Sequence, residues 1–352
     1  MRRTVTLLLL SLILLSSCHQ EAPYRSAEGL IFGTLYRVTY QADQDLSDQI
    51  NEALQEVNRV ANPFDSTSMI YAVNNNLSMA VDSTFYAIYS VARRVYEQSG
   101  GTYDVTIAPL VNAWGFGFEK SYPLTQQQVD SLMELVGMDK VSCTPTELTK
   151  TNPAMELDFA SVAKGYASDL VGEKLRKAGV TNYLVEIGGE IAYSGRNPRG
   201  APWRVGISRP DLDSLGISQE LQEIIDLPGE RGGLATSGNY RNYKVAADGR
   251  VYGHTISALS GYPAETDILS ASVIAPTCAE ADALATAFMA SGYEGSEAMR
   301  KRLSPDISFL LFVSAGDSLA FTTIASPSFP RSHRCQLAYL AISDGLSYLC
   351  II

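Results

Sequence analysis

The residues best suited to chemistry near the middle of the chain are Asp158, Ser161 and Lys164, a carboxyl, a hydroxyl and an ammonium group within seven positions. They stand where a short apolar stretch ends and a helix is predicted to begin. Apolar side chains at helical spacing predict that helix, which would end at Gly179: Val162, Tyr166, Leu170, Val171 and Leu175. Backbone N–H groups at a helix start attract anions, so this stretch predicts a site for an anionic ligand.

A strand and two glycines follow within the same segment, 157–191. Strand-forming residues occupy Tyr183–Ile187, and Gly188 and Gly189 come directly after them. Glycine lets a backbone turn sharply and lie close to a ligand. We therefore expect the strand end, the helix start and the diglycine turn to contribute to one site.

A second group of candidate residues lies near position 280. Thr277 and Glu280 have the spacing of a capping box, which predicts that a helix begins there. Asp282 and Thr286 are four positions apart on this helix, so both side chains project from one face. A carboxylate and a hydroxyl suit Mg²⁺, which prefers oxygen ligands. The alternative is a solvated helix face, but the surrounding residues are small and apolar, where a bare Asp is costly.

His254 is one of three histidines and lies towards the end of a predicted strand. It is either a structural histidine with both ring nitrogens hydrogen-bonded or a general base that takes a proton from a hydroxyl. The three histidines are too scattered to form a histidine metal site, and the five cysteines show no CxxC or zinc-type spacing.

The charge and the absent motifs exclude several classes of protein. A net charge of −11 argues against nucleic acid as a partner. An acidic protein that binds an anion needs local cations, such as a divalent metal or a placed lysine. No Walker A loop, GxGxxG after a strand, HExxH or GxSxG motif is present, which disfavours P-loop ATPases, Rossmann enzymes, zincins and lipases.

The start of the chain reads as a targeting segment. Residues 1–17 are predicted to be a signal peptide, because two arginines precede an apolar run too short to span a bilayer. The sequence LSSC at 15–18 resembles a bacterial lipobox, which predicts Cys18 as a lipidated, palmitate-bearing N-terminus. An ordinary signal peptide or an uncleaved anchor is the alternative. Residues 18–28 are then a polar tether, and the protein is expected on the periplasmic face of the inner or outer membrane of a bacterial cell envelope.

Predicted strands and helices do not alternate regularly, which favours an α+β fold with mixed or antiparallel sheets over a doubly wound sheet. With 352 residues, the chain can form one large domain or two tightly joined lobes. Helices are predicted over 45–61, 83–99 (capped by Ser83), 126–136 and 277–289. Further strands are predicted over 33–40, 203–208, 243–246, 251–256, 269–274 and a closing hairpin at 307–313 and 319–323. Residues 64–74 are expected to be a loop with a short apolar run, 235–238 a turn of small residues and 102–120 a ligand-facing wall.

From about residue 32 to about residue 323, the sequence resembles the ApbE-type FAD:protein FMN transferases. Nine stretches carry the resemblance in the family's order: FGTLYRVTY, FDSTSMIYAVN, GGTYDVTIAPLVNAWGFG, LDFASVAKGYASDL, YLVEIGGEIAYSGRNPRG, WRVGISRP, LATSGNYRNY, HTISALSGYP and ASVIAPTCAEADALATAF. The resemblance implies a T-fold-related, two-lobed single catalytic domain, which we place at 29–326, followed by an atypical tail at 327–352.

The resemblance also implies the reaction and its residues. The enzyme would take FAD and Mg²⁺, move the FMN half onto a Thr or Ser hydroxyl of a target flavoprotein and release AMP. The targets implied are subunits of membrane redox complexes or extracytoplasmic flavoproteins. His254 would be the catalytic base. The residues implied to contact FAD are Phe32, Phe64, Thr102, Tyr103, Asp104, Asp158, Lys164 and Ile256. The residues implied to hold Mg²⁺ are Ser161 (through its carbonyl), Asp282 and Thr286.

The sequence departs from the family pattern at several positions. Ser257 and Ala258 stand where the family has an aspartate and a proline, Phe32 where methionine is common, and Ala285 where an additional acid is often found. Two alternatives to FMN transfer therefore stay open. Water can replace the protein hydroxyl, which gives a Mg²⁺-dependent FAD pyrophosphatase, or the chain can be an FAD-binding lipoprotein without catalysis.

Overall fold

The computed structural model describes residues 21–116, 124–208, 221–238, 243–245, 251–253, 255–316 and 321–330. The predictions for Cys18 and His254, and for the tail beyond residue 330, lie outside these ranges.

Antiparallel strands form the centre of the described structure. In chain order, the strands are β1 (Tyr24–Ile31), β2 (Thr34–Gln41), β3 (Val141–Cys143), β4 (Leu148–Lys150), β5 (Tyr183–Ile187), β6 (Glu190–Ser194), β7 (Arg204–Ser208), β8 (Leu221–Asp226), β9 (Arg231–Gly238), β10 (Tyr243–Val245), β11 (Val251–Gly253), β12 (Ile268–Ala275), β13 (Ser308–Ser314) and β14 (Phe321–Ala325). Eight of them form one sheet in the order β1-β2-β5-β6-β9-β12-β13-β14, and the others pair as the hairpins β3–β4, β7–β8 and β10–β11.

Helices cover one face of this sheet. In chain order, they are α1 (Ser47–Ala61), α2 (Met69–Asn74), α3 (Ser83–Ser99), α4 (Ala108–Ala113), α5 (Gln126–Met133), α6 (Ala163–Lys177) and α7 (Cys278–Arg300). Helix α6 packs against β5 and β6, whereas α7 packs against β9 and β12. Within the described ranges, none of the helices has both the length and the hydropathy that a membrane span requires. The predicted α+β class is confirmed.

Successive side chains of a strand point to opposite faces of the sheet, and here each face packs into its own apolar core. Val185 and Ala192 belong to the core shared with the helices. Their neighbours Leu184 and Ile191 belong to a second core on the opposite face, where Trp203 is almost fully buried beside the β7–β8 hairpin. A sheet covered on both faces needs apolar residues at consecutive positions, which explains the nearly continuous apolar run of β5.

The predicted tether at 18–28 is wrong from Tyr24 onward. Tyr24–Ile31 forms the edge strand β1, which pairs along its whole length with β2. Its sequence reads as polar because most of its residues remain partly exposed and only Ala27 and Ile31 are buried. Phe32 and Gly33 make the turn to β2 with φ values of 52° and 73°.

Other local predictions also need correction. The apolar run after residue 68 is the short helix α2, because the Ser68 hydroxyl caps it by accepting the Tyr71 N–H. Helix α3 is capped by Asp82 and not by Ser83, since the Asp82 carboxylate accepts the Phe85 N–H. The small residues at 235–238 are the end of β9 and not a turn. The predicted ligand-facing wall at 102–120 does line the cavity in its described part, 102–116, but that part is more regular than expected, with a 3-10 turn at Val105–Ile107 followed by α4.

Helices α6 and α7 meet so closely that only glycine fits at one point of their crossing. A Cβ atom on Gly165 would lie 2.5 Å from the carbonyl oxygen of Cys278. The carboxylate of Asp169 on α6 accepts the N–H groups of Cys278 and Ala279, both at 2.9 Å, and so caps the first turn of α7. The crossing places the start of α6 beside the first turns of α7.

We predict that Gly165→Ala destabilises the protein by about 1–3 kcal/mol, because the new methyl group must push the backbone of α7 away. Gly295→Ala is the matched control. Gly295 lies on α7, and a Cβ added there would be in ordinary van der Waals contact with Ser291 at 3.6 Å. The control should be neutral or stabilising by up to about 1 kcal/mol, because alanine favours helix. Urea unfolding of both variants measures the difference, and equal stability would contradict the close crossing.

Candidate active site

One cavity of about 760 Å³ opens where the start of α6, the first turns of α7 and the β5–β6 turn converge. Nine of the predicted site residues line it: Thr102, Tyr103, Asp104, Asp158, Ser161, Lys164, Ile256, Asp282 and Thr286. The structure therefore brings together side chains from four separate stretches of the sequence. Its size and concave form are typical of a small-molecule site.

Lys164 and Glu190, which both line the cavity, form an ion pair. The Lys164 ammonium lies 2.5 Å from Glu190 Oε1, and Glu190 is almost fully buried with an exposure of 4%. The negative charges of Glu190 and Asp282 raise the pKa of Lys164 although burial lowers it. Lys164 therefore stays charged where it lines the cavity.

Glu190 is a site residue that the sequence did not predict. It is the first residue of β6, directly after the Gly188–Gly189 turn, in which both glycines have positive φ values of 65° and 107°. Burial raises the pKa of Glu190 to about 7, although Lys164 opposes this effect. The signal available in the sequence was an acid at the start of a strand, immediately after a diglycine turn.

Asp282 and Thr286 lie on the cavity side of α7, as their spacing predicted. Asp282 is buried, and its Oδ2 accepts the Gly165 N–H at 3.1 Å. Burial raises the pKa of this carboxyl group, and Lys164 opposes the shift. The Thr286 hydroxyl lies 3.3 Å from the Ser237 hydroxyl at the end of β9. These are hard oxygen donors of the kind that Mg²⁺ accepts.

Ser161 and Tyr103 also line the cavity and contact each other. The Ser161 hydroxyl donates to the Tyr103 hydroxyl at 3.2 Å. Burial raises the pKa of Tyr103, and the charges of Asp282 and Asp158 add to this shift, so the phenol keeps its proton. In the described part of the chain, no three His, Cys, Asp or Glu side chains form a metal cluster. A metal in this cavity would therefore need hydroxyl or carbonyl ligands as well as Asp282.

Asp104 lines the cavity but is occupied as a helix cap. Its Oδ1 accepts the Thr106 N–H at 2.8 Å and the Thr106 hydroxyl at 2.6 Å, and its Oδ2 accepts the Met138 N–H at 3.0 Å. Burial raises its pKa, although these hydrogen bonds oppose the shift. Its geometry indicates that Asp104 shapes the wall that carries Thr102 and Tyr103.

The other half of the cavity is apolar. Its lining residues there are Ile107, Val111, Phe116, Ile256 and Ala258. Ile256 and Ala258 sit in a small apolar cluster with Leu110 and Val136. Backbone hydrogen bonds close the turn that follows: the Ser257 N–H donates to the Tyr262 carbonyl and the Ser257 carbonyl accepts the Gly261 N–H, both at 2.8 Å. Ala285, the third departure, is fully buried in the main core and does not line the cavity.

Phe32 and Phe64 are not among the residues that line this cavity. Phe32 lies in the β1–β2 turn, where its side chain is partly buried against the main core. Phe64 is 71% exposed in the turn between α1 and α2. Their predicted contacts with FAD stay predictions.

Comparisons with known proteins place the whole chain in a family. The model of the ApbE family matches residues 32–311. The FAD:protein FMN transferase of Vibrio cholerae is 33% identical over 332 residues, covering 91% of this chain and 96% of its own length. The Escherichia coli protein of the same name is 30% identical over 317 residues, covering 86% of this chain and 87% of its own length.

Two solved structures have the same fold. The flavin transferase ApbE from Vibrio cholerae superposes with a TM-score of 0.75 at 32% identity, over 87% of this chain and 99% of that one. The apo form of the flavinyl transferase ApbE from Pseudomonas stutzeri gives a TM-score of 0.76 at 30% identity, over 88% and 97% of the two chains. With this match along most of its length, the chain belongs to the ApbE family.

Proposed function

We propose that this chain is an FAD:protein FMN transferase that attaches FMN through a phosphoester bond to a Thr or Ser hydroxyl of a target flavoprotein. The proposal rests on one cavity with an apolar half and a polar half. The apolar half, at Ile107, Phe116 and Ile256, suits a flat aromatic ring system. The polar half, at Lys164 and Asp282, suits a diphosphate with a divalent cation. FAD carries both groups in one molecule.

The charges of the lining explain why a metal would be needed. Among the described residues that line the cavity, four carry carboxyl groups (Asp104, Asp158, Glu190 and Asp282) and only Lys164 carries a positive charge. A diphosphate would be repelled by this lining without a further cation. Asp282, Thr286 and the backbone of Ser161 would hold Mg²⁺, which when bound neutralises the phosphate charge and that of the departing AMP.

The residues of the chain supply binding, orientation and proton transfer. Lys164 binds the diphosphate, and Tyr103, which keeps its phenolic proton, accepts the Ser161 hydroxyl and so orients Ser161 at the cavity wall. The acceptor oxygen forms a bond to the phosphorus of the FMN half, and the bond from that phosphorus to the oxygen of AMP breaks. The acceptor's proton passes to His254, which acts as the general base.

The proposed enzyme is lipid-anchored and faces the periplasm. The lipobox-like LSSC at 15–18 supports lipidation of Cys18 and attachment to the periplasmic face of a bacterial membrane. Subunits of membrane redox complexes and extracytoplasmic flavoproteins would be accessible from there as FMN acceptors.

One assay separates the proposed transfer from its alternatives. The protein is incubated with FAD, Mg²⁺ and an acceptor domain that carries the Asp-Gly-x-Ser/Thr-Gly-Ala-Ser/Thr motif that the family resemblance implies for acceptors, and AMP and covalent flavin are measured together. Equal amounts of AMP and labelled acceptor support transfer. AMP and free FMN without labelling would replace the proposal by FAD hydrolysis, and FAD binding without AMP would replace it by a non-catalytic flavin-binding role.

We predict that Asp282→Asn lowers Mg²⁺-dependent AMP release by about a hundredfold or more, since the variant removes the one carboxylate among the proposed metal ligands. The amide oxygen can still accept the Gly165 N–H, so the thermal midpoint should change by only a few degrees. Glu297→Gln is the control and should leave the Mg²⁺ titration unchanged, because Glu297 is a partly exposed residue of the same helix that pairs with Arg300 and does not line the cavity. Wild-type turnover in Asp282→Asn would exclude this carboxylate as a metal ligand.

We predict that His254→Ala lowers the rate of FMN transfer by about a hundredfold or more while the Kd for FAD changes by less than about threefold, as expected for a general base. Stopped-flow transfer to the acceptor domain and flavin fluorescence give the two quantities. Parallel losses of transfer rate and FAD affinity would assign the histidine a structural role.

A further inference from the structure

The end of β9 has no role in the mechanism given above, although Thr236, Ser237 and Gly238 all line the cavity. Alternate side chains of a strand point to the same face of the sheet. Ala235 is buried in the core shared with the helices, so Ser237, two positions later, faces the helices as well. The strand thus carries a hydroxyl group to the point where this core meets the cavity.

Helix α7 presents a matching face to the end of β9. Ala283 and Ala287 are fully buried in the same core, whereas Asp282 and Thr286 line the cavity. The Thr286 hydroxyl lies 3.3 Å from the Ser237 hydroxyl, which is its hydrogen-bond partner in the described part of the chain. A threonine hydroxyl in a helix can instead donate to the carbonyl four residues earlier. The contact with Ser237 keeps the Thr286 oxygen on the side of the cavity.

The chemistry of a hydroxyl ligand gives this contact a purpose. A hydroxyl group has one proton and two lone pairs, so an oxygen that binds a cation through a lone pair still carries its proton. That proton needs an acceptor, because an unpaired O–H group beside a cation loses the hydrogen bond that water would give it. The Ser237 oxygen lies within hydrogen-bond distance of Thr286 and can accept the proton.

We propose that Ser237 is a positioning residue of the cation site, which accepts the hydrogen bond of the Thr286 hydroxyl and so orients the Thr286 oxygen towards the divalent cation. The inference rests on the proposed function, since it assumes that Thr286 binds a cation in this cavity. Residues that hydrogen-bond to metal ligands fix the orientation of those ligands and raise the affinity for the metal. Ser237 would contribute to cation binding in this way without itself contacting the cation.

Ser237 can be tested against a matched hydroxyl on the neighbouring strand. Ser237→Ala removes the hydrogen-bond partner of Thr286 and leaves the backbone pairing of β9 in place. Ser272→Ala is the control, because the Ser272 hydroxyl of β12 lies 2.8 Å from the Thr236 hydroxyl and Ser272 does not line the cavity. Both variants therefore remove one hydroxyl from a pair of hydroxyls. Ser237→Thr keeps the hydroxyl and is the conservative variant.

The experiment measures the binding of Mn²⁺, which accepts the same oxygen ligands as Mg²⁺, to the FAD-free protein through the EPR signal of free Mn²⁺. We expect Ser237→Ala to raise the Kd for Mn²⁺ by about tenfold or more, and Ser237→Thr and Ser272→Ala to stay within about twofold of the wild type. Because Ser237 acts through Thr286, Ser237→Ala should raise the Kd no further when Thr286→Ala is already present. If the wild-type protein binds Mn²⁺ only in the presence of FAD, the same comparison is made with FAD.

An unchanged Kd in Ser237→Ala would overturn the positioning role. A further rise in Kd on top of Thr286→Ala would also overturn it, because Ser237 would then act on the cation independently of Thr286. If Ser237→Ala does not fold, Ser237→Cys takes its place with the same expected rise in Kd, since a thiol sulfur is a weak acceptor. Absence of Mn²⁺ binding in the wild-type protein, both with and without FAD, would instead refute the metal site of the proposed function.

Discussion

The close crossing of α6 and α7 at Gly165 is the constraint on which the site depends. Because no side chain separates the two helices there, the start of α6 lies directly against the first turns of α7. Asp169 fixes the same contact from the α6 side by capping α7. Lys164 and Asp282, which are 118 positions apart, reach one cavity only through this contact. A loosened crossing would separate the proposed diphosphate and metal positions before it disturbed either helix.

The sheet supplies the other side of the site through its turns. The β5–β6 turn needs glycine at both positions because both have positive φ, and a Cβ on Gly188 would lie 2.8 Å from the Thr34 side chain. This tight turn lets Glu190 begin β6 at the cavity wall. The sheet thus provides the carboxylate of Glu190. The helices provide the ammonium group of Lys164 and the oxygen atoms of Asp282 and Thr286. The lining as a whole stays acidic, in keeping with the net charge of −11.

Much of the fold and of the site was predictable from the sequence, because the relevant signals are local. Apolar residues at helical spacing, together with capping residues and glycines at the ends, predicted α1, α3, α6 and α7. The four-residue spacing of Asp282 and Thr286 predicted that they share one helix face. Strand β1 was missed because an edge strand buries few residues and so lacks a clear apolar pattern. Glu190 was missed for a different reason: its importance comes from Lys164, which lies 26 positions earlier and becomes its neighbour only in the fold.

Strand β1 has a consequence for where the enzyme can work. The strand begins at Tyr24, whose ring hydroxyl donates to the Arg196 carbonyl at 2.7 Å, so the chain is tied to the folded body from that residue onward. With Cys18 lipidated as proposed, six residue steps join the anchor to the body, and a fully extended chain spans only about 20 Å over that length. The catalytic body would then be restricted to a thin layer above the bilayer. Acceptor proteins held at the same membrane surface would meet it far more often than freely diffusing ones.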